Sequence, residues 1–364
     1  MSKTLGILGA GQLGLMLGDA ASRLGVRTRL YDTAADACAG QRHELVVGAW
    51  DDEDRLAAFA EGCDAVTYEF ENVPVAAAEF LESLAPVRPG PAALRTAQDR
   101  LRERELFAGL GIPTPAYDAV SSLEDLEAAL ARSPGPALLK ARRLGYDGKG
   151  QALVSSTEDA PRAWAAVGRA PSLLDRFVNF KREISVLVVR SPAGEVRSYP
   201  LVDNVHRGGI LRLSRAPARG VSSAAADAAE DAGSAVVDAL GYIGVLAVEF
   251  FETDAGLLAN EMAPRVHNSG HWTIEGAATS QFENHVRAVL GMHLGSTKPV
   301  GHSAMINLIG EVPDATRRLT EPGTHTHDYK KQPRPGRKVG HITLNSNTPD
   351  DLDAVLSRVT RVIG

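Results

Sequence analysis

Two hydrophobic periods alternate along the chain. Short apolar runs bounded by Gly, Asp or Pro predict strands, and longer stretches with apolar residues three and four apart predict helices. The first unit is a strand over Thr4–Leu8, a Gly-rich turn, an apolar helix to Leu24 and a strand over 26–31 ending at Asp32. Strands over 46–48 and 65–68 continue this βαβ pattern, and the last leads into Glu69, Phe70, Glu71 and Asn72. Polar groups just past a parallel strand's carboxyl end lie where α/β sheets take ligands; a helix cap at Glu71 or Asn72 explains them equally well. The Pro-rich run 86–91 predicts a boundary. Thr96 then opens a helix with Asp99 in its first turn, Arg100 beside it and Gly111 past its end. A strand over 136–140 ends on Lys140, and a Gly-rich run, 145–151, joins it to a strand over 152–155. Further strands cover 172–178, with Asp175, then 184–189, preceded by Glu183, then 199–205, ending at His206. Helices over 222–240 and 280–290 each stop at a glycine, and 305–309 is a strand.

Residues 245–272 hold the densest chemistry. Two apolar runs, 245–251 and 257–259, flank the turn signal Thr253, Asp254, Ala255, Gly256, the pattern of a β-hairpin. A turn centred on Ala255 sets Glu249 opposite Glu261. Cross-strand partners sit roughly 5 Å apart, and like charges placed so destabilise a sheet unless a cation lies between them. Hard oxygen ligands, few in number, suit Mg²⁺, which takes one or two carboxylates plus substrate phosphates. Arg265, His267, Asn268 and His271 follow. The bland alternative, a surface hairpin with solvated Glu side chains, leaves Glu249 interrupting an apolar run where an unpaired charge is costly.

The 364 residues exceed one ordinary core and imply two or three domains, and 44% hydrophobic residues suffice for them. A net charge of −6 argues against a nucleic-acid partner. Two cysteines, Cys38 and Cys63, lack metal spacing and fit a reducing compartment. No run reaches membrane-spanning length, so a cytoplasmic protein is expected.

Three other segments bear on function. Gly9, Gly11 and Gly14 have the Gly-x-Gly-x-x-Gly spacing and Asp32 lies where a dinucleotide fold keeps its ribose acid; the same loop serves any anion at a helix N-terminus. The run Gly145, Tyr146, Asp147, Gly148, Lys149, Gly150, Gln151 lies between strands. A Walker A loop feeds a helix, so this run is either a flap closing over phosphates or a long hairpin turn. Residues 330–338 carry five cations broken by Pro and Gly, an anion site or a solvated loop. His325 and His327 lack further ligands at metal spacing.

Taken together, these segments resemble the ATP-grasp superfamily of carboxylate-activating ligases: a doubly wound domain, then a Lys and Gly-loop lobe, then the Glu…Asn-Glu…Arg hairpin. Within it, residues 10–14, 145–151, 260–272 and 334–341 are similar to the 5-(carboxyamino)imidazole ribonucleotide synthases of purine biosynthesis, and the likeness covers nearly the whole chain. It implies an α/β ATP-grasp fold with an N-terminal doubly wound, Rossmann-like domain (1–95), an ATP-grasp domain (96–295, flap-bearing lobe about 113–178) and a small β-rich C-terminal domain (296–364). It implies ATP, bicarbonate and 5-aminoimidazole ribonucleotide as substrates, Mg²⁺ as cofactor, and a homodimer. By the same resemblance Arg100 and Lys140 hold ATP phosphates beneath the flap, Asp175, Arg176, Phe177 and Val178 line the adenine, and Glu183 takes the ribose hydroxyls. His206 and Asn260 complete the ATP site, and Glu249 and Glu261 ligate Mg²⁺. Arg265, His267 and Asn268 face bicarbonate, with His267 a candidate base for the amine proton and released phosphate its alternative. Gly11, Gln12, Glu71, Asn72, Arg337 and Lys338 are expected to bind the imidazole nucleotide. Two positions depart from the wider superfamily: Ala263 stands where a metal-binding Asn is common, and Asp175 where a Glu is common. Competing readings are a ligase for another amine, an NAD(P)-dependent oxidoreductase and a non-catalytic nucleotide sensor.

Overall fold

The computed structural model describes residues 2–145 and 150–363. Of the expected flap residues, Tyr146, Asp147, Gly148 and Lys149 lie outside the described residues. Those described form three sheets. The first is parallel, in the order Glu44–Val47, Arg27–Asp32, Thr4–Leu8, Ala65–Tyr68. Every residue of Thr4–Leu8 and Ala65–Tyr68 is buried, as expected when helices cover both faces. This is the doubly wound unit, and the carboxyl ends of Thr4–Leu8 and Ala65–Tyr68 lead to the site.

The second sheet is antiparallel. Its main path runs Gly256–Ala263, Gly244–Thr253, Arg182–Arg190, Val202–Arg207, Ile210–Ala216, His302–Ile309, Lys338–Ser346, Thr324–Asp328. Strand alternation divides its core. Val186, Val188, Leu246 and Val248 meet the helix Ser223–Ala239, capped by Ser222. Leu187, Val189, Val245 and Ala247 belong to a cluster with Phe282, Val286 and Val289 of the helix Gln281–Val289. Gly233 allows the first contact, since a Cβ there would lie 2.6 Å from Val188 Cγ2. The same cluster includes Leu13 and Leu17 of the helix Gln12–Arg23, which docks the N-terminal unit. His285 ties it further, accepting from Val245 N–H at Nδ1 (3.0 Å) and meeting Thr67 Oγ1 at Nε2 (2.8 Å).

The third sheet, Tyr117–Val120, Ser172–Arg176, Ala137–Ala141, Gln151–Val154, is antiparallel and forms a separate lobe with Leu126, Leu130 and Trp164 over one face. At the C-terminal end, backbone pairing of Leu213 with Ile306 through Ala216 with Ser303 carries the large sheet across residue 296. The helix Pro349–Ile363 covers this end with Leu352, Val355, Leu356 and Val359. The helix expected from Thr96 is instead two: Pro91–Ala97, then Arg100–Gly109 with Asp99 as its cap, accepting from Leu101 N–H at 3.0 Å.

Candidate active site

A cleft of about 1080 Å³ opens between the three sheets. On its floor Glu249 pairs with Glu261. The pairing holds for a reason different from a turn centred on Ala255. The turn is the two residues Asp254 and Ala255, between the paired Thr253 and Gly256, and the register slips by one between Glu249 and Phe250. Asn260 is the extra residue of this β-bulge, and bulges re-aim side chains beside sites. The helix Arg100–Gly109 holds the bulge. Arg104 donates to the carbonyls of Ala259 and Asn260, each at 2.8 Å, and Glu103 accepts from Met262 N–H at 2.6 Å. Burial pushes the Glu103 carboxyl up to about 7 against the opposing charge of Arg104.

The paired carboxylates are electrostatically unequal. Burial, then the charge of Glu261, raises Glu249 above the usual carboxylate range. At Glu261 burial acts the same way, but Arg100 and Lys140 outweigh it and hold the group ionised. Arg100 donates to Glu261 at 3.2 Å and to the Gly145 carbonyl at 3.4 Å. Lys140 binds Asp175 at 2.7 Å, and Arg104 reaches the same oxygen at 3.1 Å. Asp175 is therefore a buried counter-ion that locks Lys140 at the cleft wall, and its side chain does not line the cleft. Arg176 also turns away, to Asp118 (2.6 Å) and the carbonyls of Ser133 and Ala129. Phe177 is exposed and Val178 partly buried, and the N–H groups of Arg176 and Phe177 donate to the carbonyls of Ala116 (2.8 Å) and Pro136 (3.1 Å). Gly145, Gln151, Glu183, His206 and Asn260 line the cleft, and Gly150, within the expected flap segment, takes a left-handed φ of +67°. His206 contacts Glu183; burial disfavours its charge, yet Glu183 and Glu249 raise its pKa overall.

At the other end of the floor, Arg265 Nε donates to Glu71, and that guanidinium overcomes burial to hold Glu71 below the usual range. Glu71 thus orients Arg265. His267 is clamped by Gln281, which accepts from its N–H (2.9 Å) and donates to its carbonyl (2.6 Å). Its Nε2 is 3.5 Å from Glu249, and burial, with Arg265 and Lys338, drops its pKa well below normal. Asn268 exchanges amide bonds with Asn307 at 2.6 and 3.1 Å.

The Gly-rich N-terminal loop does not meet an external anion. Glu69 fills it, accepting from Gly11 N–H (2.6 Å) and Gly14 N–H (2.8 Å), while Asp32 accepts from Ala10 N–H (2.8 Å) and Ala34 N–H (2.9 Å). A Cβ at Gly11 would lie 2.6 Å from Glu69 Oε1. The glycines admit an internal carboxylate, and the N–H groups of Gly11 and Gly14, which the Gly-x-Gly-x-x-Gly pattern would offer a dinucleotide, are spent on it. The expectation that Gly11 binds substrate is corrected accordingly: its N–H serves Glu69 and its carbonyl accepts from Leu15 N–H at 3.0 Å. Gln12 and Asn72 do line the cleft, as do Lys331, Arg334, Arg337 and Lys338 of the basic turn. Lys331, whose ammonium contacts Gln12 Oε1, was not singled out from the sequence, although it belongs to the run of cations. Glu103, Arg104 and Gln281 carried no sequence signal, being ordinary polar positions of amphipathic helices. His325 is exposed, while His327 binds Glu275 at 2.7 Å and stacks on His341. Among the described residues no group of three or more His, Cys, Asp or Glu is placed to hold a metal, and no helix is long and apolar enough to cross a membrane.

Three family models match the chain: the ribonucleotide synthetase preATP-grasp domain over residues 1–98, the ATP-grasp domain over 105–282, and the phosphoribosylaminoimidazole carboxylase C-terminal domain over 303–355. Fold and site thus define an ATP-grasp ligase. An N5-carboxyaminoimidazole ribonucleotide synthase of Pseudomonas aeruginosa is 48% identical over 359 residues, 99% of each chain. The crystal structure of the N5-carboxyaminoimidazole ribonucleotide synthetase from Thermus thermophilus is 56% identical, with a TM-score of 0.94 over 99% of this chain and 98% of that one. An Aspergillus clavatus synthase, solved with ADP and 5-aminoimidazole ribonucleotide, is 33% identical, with a TM-score of 0.92 over 100% and 98%. The chain belongs to the N5-carboxyaminoimidazole ribonucleotide synthases, enzymes of purine biosynthesis that carboxylate 5-aminoimidazole ribonucleotide with ATP.

Proposed function

We propose that this cleft phosphorylates bicarbonate with ATP and passes the activated carbon to the exocyclic amine of 5-aminoimidazole ribonucleotide. The observation that carries the assignment of roles is the pairing of Glu249 with Glu261 between a phosphate-type wall, Arg100 and Lys140, and a carboxylate-type wall, Arg265, His267 and Asn268. ATP phosphates lie against Arg100 and Lys140 under the 145–151 flap. The adenine lies against the 176–178 segment, the ribose meets Glu183 beside His206, and Asn260 lies alongside. Bicarbonate is a poor electrophile, and phosphorylation converts it to carboxyphosphate, a mixed anhydride. Arg265, fixed by Glu71, can fork two N–H bonds onto its oxygens, which a lysine cannot. A preorganised donor of this kind is worth about 3–4 kcal/mol. Carboxyphosphate collapses to CO₂ and phosphate in a site kept from water, and the amine attacks the CO₂. Gln12, Asn72, Lys331, Arg337 and Lys338 receive the nucleotide and its 5′-phosphate.

Mg²⁺ fits the donor set. Two facing carboxylates, one with a raised proton affinity, are hard oxygen ligands short of a cation, and Asn260 Oδ1 is buried without a hydrogen-bond partner among the described residues. Glu249 and Glu261 would hold the ion, which supplies charge neutralisation at the β- and γ-phosphates. A cytoplasmic location is supported by two free thiols, Cys38 and Cys63; a homodimer follows from the family resemblance and is testable by sedimentation. The deciding experiment is ADP release with Mg-ATP and bicarbonate, with and without 5-aminoimidazole ribonucleotide. Strong stimulation with a labile carboxylated product is expected. ADP release indifferent to the nucleotide would overturn the substrate assignment.

A further inference from the structure

His267 is held from behind by a buried hydrogen-bonded chain whose residues do not line the cleft. Ser269 N–H donates to His267 Nδ1 at 3.3 Å, and Ser269 Oγ lies 2.9 Å from the same nitrogen. Ser185 Oγ donates to Ser269 Oγ at 2.8 Å, Asn204 Nδ2 to Ser185 Oγ at 2.9 Å, and Ser214 Oγ to Asn204 Oδ1 at 2.8 Å. Ser185, Ser214 and Ser269 are fully buried and Asn204 nearly so. The three strands of the large sheet that carry Ser185, Asn204 and Ser214 thus connect, through their side chains, to the turn Asn268–Gly270.

The direction of this chain is fixed at one end. A hydroxyl donates or accepts, and an amide side chain can be turned over, but a backbone N–H only donates. With Ser269 N–H aimed at it, Nδ1 must be the accepting nitrogen, so it bears no proton. The ring is then neutral with its hydrogen on Nε2. The Ser269 hydroxyl, already accepting from Ser185, adds its own hydrogen toward Nδ1. Nε2–H faces the cleft, 3.5 Å from Glu249.

We infer that Ser269, Ser185 and Asn204 are positioning residues that set the tautomer of His267, so that His267 gives a hydrogen bond to the carbonate-derived anion and does not accept the proton of the substrate amine. This rests on the reaction assigned to the cleft and sharpens one role in it. The amine proton then goes to the phosphate released when carboxyphosphate collapses: the C–N bond forms, nitrogen loses its proton, and phosphate gains it. A base at Nε2 would need that nitrogen bare, the opposite of what the Ser269 amide dictates.

The tautomer is directly measurable on the resting protein with ¹⁵N-histidine labelling, the His267 signals being those lost in His267→Gln. A protonated Nε2 and an unprotonated Nδ1 are expected; the reverse pattern would overturn the inference. Ser269→Ala and Ser185→Ala keep the residue-269 amide but remove the hydroxyl facing Nδ1 or the group that aims it, so the Nε2-protonated form should still dominate with a measurable Nδ1-protonated fraction beside it, while the other histidine signals stay in place. An unchanged His267 pattern in both would remove these serines from the role. Activity gives a separate reading. Gln at 267 keeps an N–H near Nε2 but has no basic nitrogen, so His267→Gln should retain nucleotide-stimulated ADP release within about tenfold of wild type, the range of a single preserved donor. His267→Ala should fall at least tenfold further, with the Michaelis constant for ATP unchanged. Equal inactivity of the two would overturn the donor role. Failure of the wild type to respond to the nucleotide would instead count against the reaction, and leaves the tautomer measurement standing.

Discussion

The Gly-rich loop after the first strand and the hairpin at residues 244–263 make an instructive pair. Each looks in sequence like a place for a charged ligand. In the loop, the N–H groups of Gly11 and Gly14 meet a carboxylate of the chain itself, Glu69. In the hairpin the sheet brings Glu249 and Glu261 together and leaves their charge only partly answered, by Arg100 and the distant Lys140. A charged motif is therefore a site when the fold leaves its chemistry unfinished, and a structural element when the fold completes it.

The contrast can be broken most severely at the hairpin. Glu261→Gln removes the more ionised of the two carboxylates, and ADP release should fall on the order of a thousandfold, corresponding to the several kcal/mol that charge stabilisation of a phosphoryl oxygen provides. Steady-state kinetics with saturating Mg-ATP would check this. Arg265→Lys keeps the charge but not the fork, and should lower turnover roughly a hundredfold while leaving ATP binding intact; near-normal turnover would remove Arg265 from the anion site.

Glu103 tests what holds the bulge. Its pKa is raised in the folded state to about 7 from 4.5. A raised carboxyl pKa means the folded protein holds a proton the unfolded chain has lost. Its contribution is complete below pH 4.5 and is lost as pH rises to 7, by on the order of 3 kcal/mol. Glu103→Gln cannot titrate and still accepts from Met262, so the wild-type protein should lose stability relative to this variant over that window. Denaturant midpoints at pH 4.5 and 7.5 would show it, and parallel pH profiles would refute it. The smallest effect belongs to the loop. Glu69→Gln sets an NH₂ against one of the two glycine N–H groups, an unsatisfied buried donor costing about 1–3 kcal/mol. Urea unfolding measures this directly, and an unchanged midpoint would mean that Glu69 is not the loop's internal anion.

The same contrast explains what could be read from the chain. The hairpin was legible because its turn residues, apolar runs and paired acids lie within some twenty positions, and local spacing fixes a strand's faces. Its register nevertheless came out right for the wrong reason, since the bulge at Asn260 depends on Arg104, 156 positions away. The filling of the Gly-rich loop was invisible because Glu69 comes from another strand, 55 residues beyond Gly14. The doubly wound unit, the lobe and the helices read from Ser222 and Ser280 followed from pattern. The strand Lys338–Ser346 did not: buried His341 and Thr343 interrupt its apolar run, and only neighbouring strands make such residues interior. Asp175 likewise read as a wall of the adenine pocket, because nothing local announces that Lys140 and Arg104 converge on it.

The continuity of the large sheet across residue 296 has a consequence for any shortened form of the protein. Cutting the chain there would strip His302–Ile309 from Ile210–Ala216, exposing the backbone groups of Leu213 through Ala216 as a raw edge. Such an edge is a template for another polypeptide. The truncated species is expected to associate with its own kind and to precipitate, so the last seventy or so residues act as a guard on solubility as well as a wall of the active site.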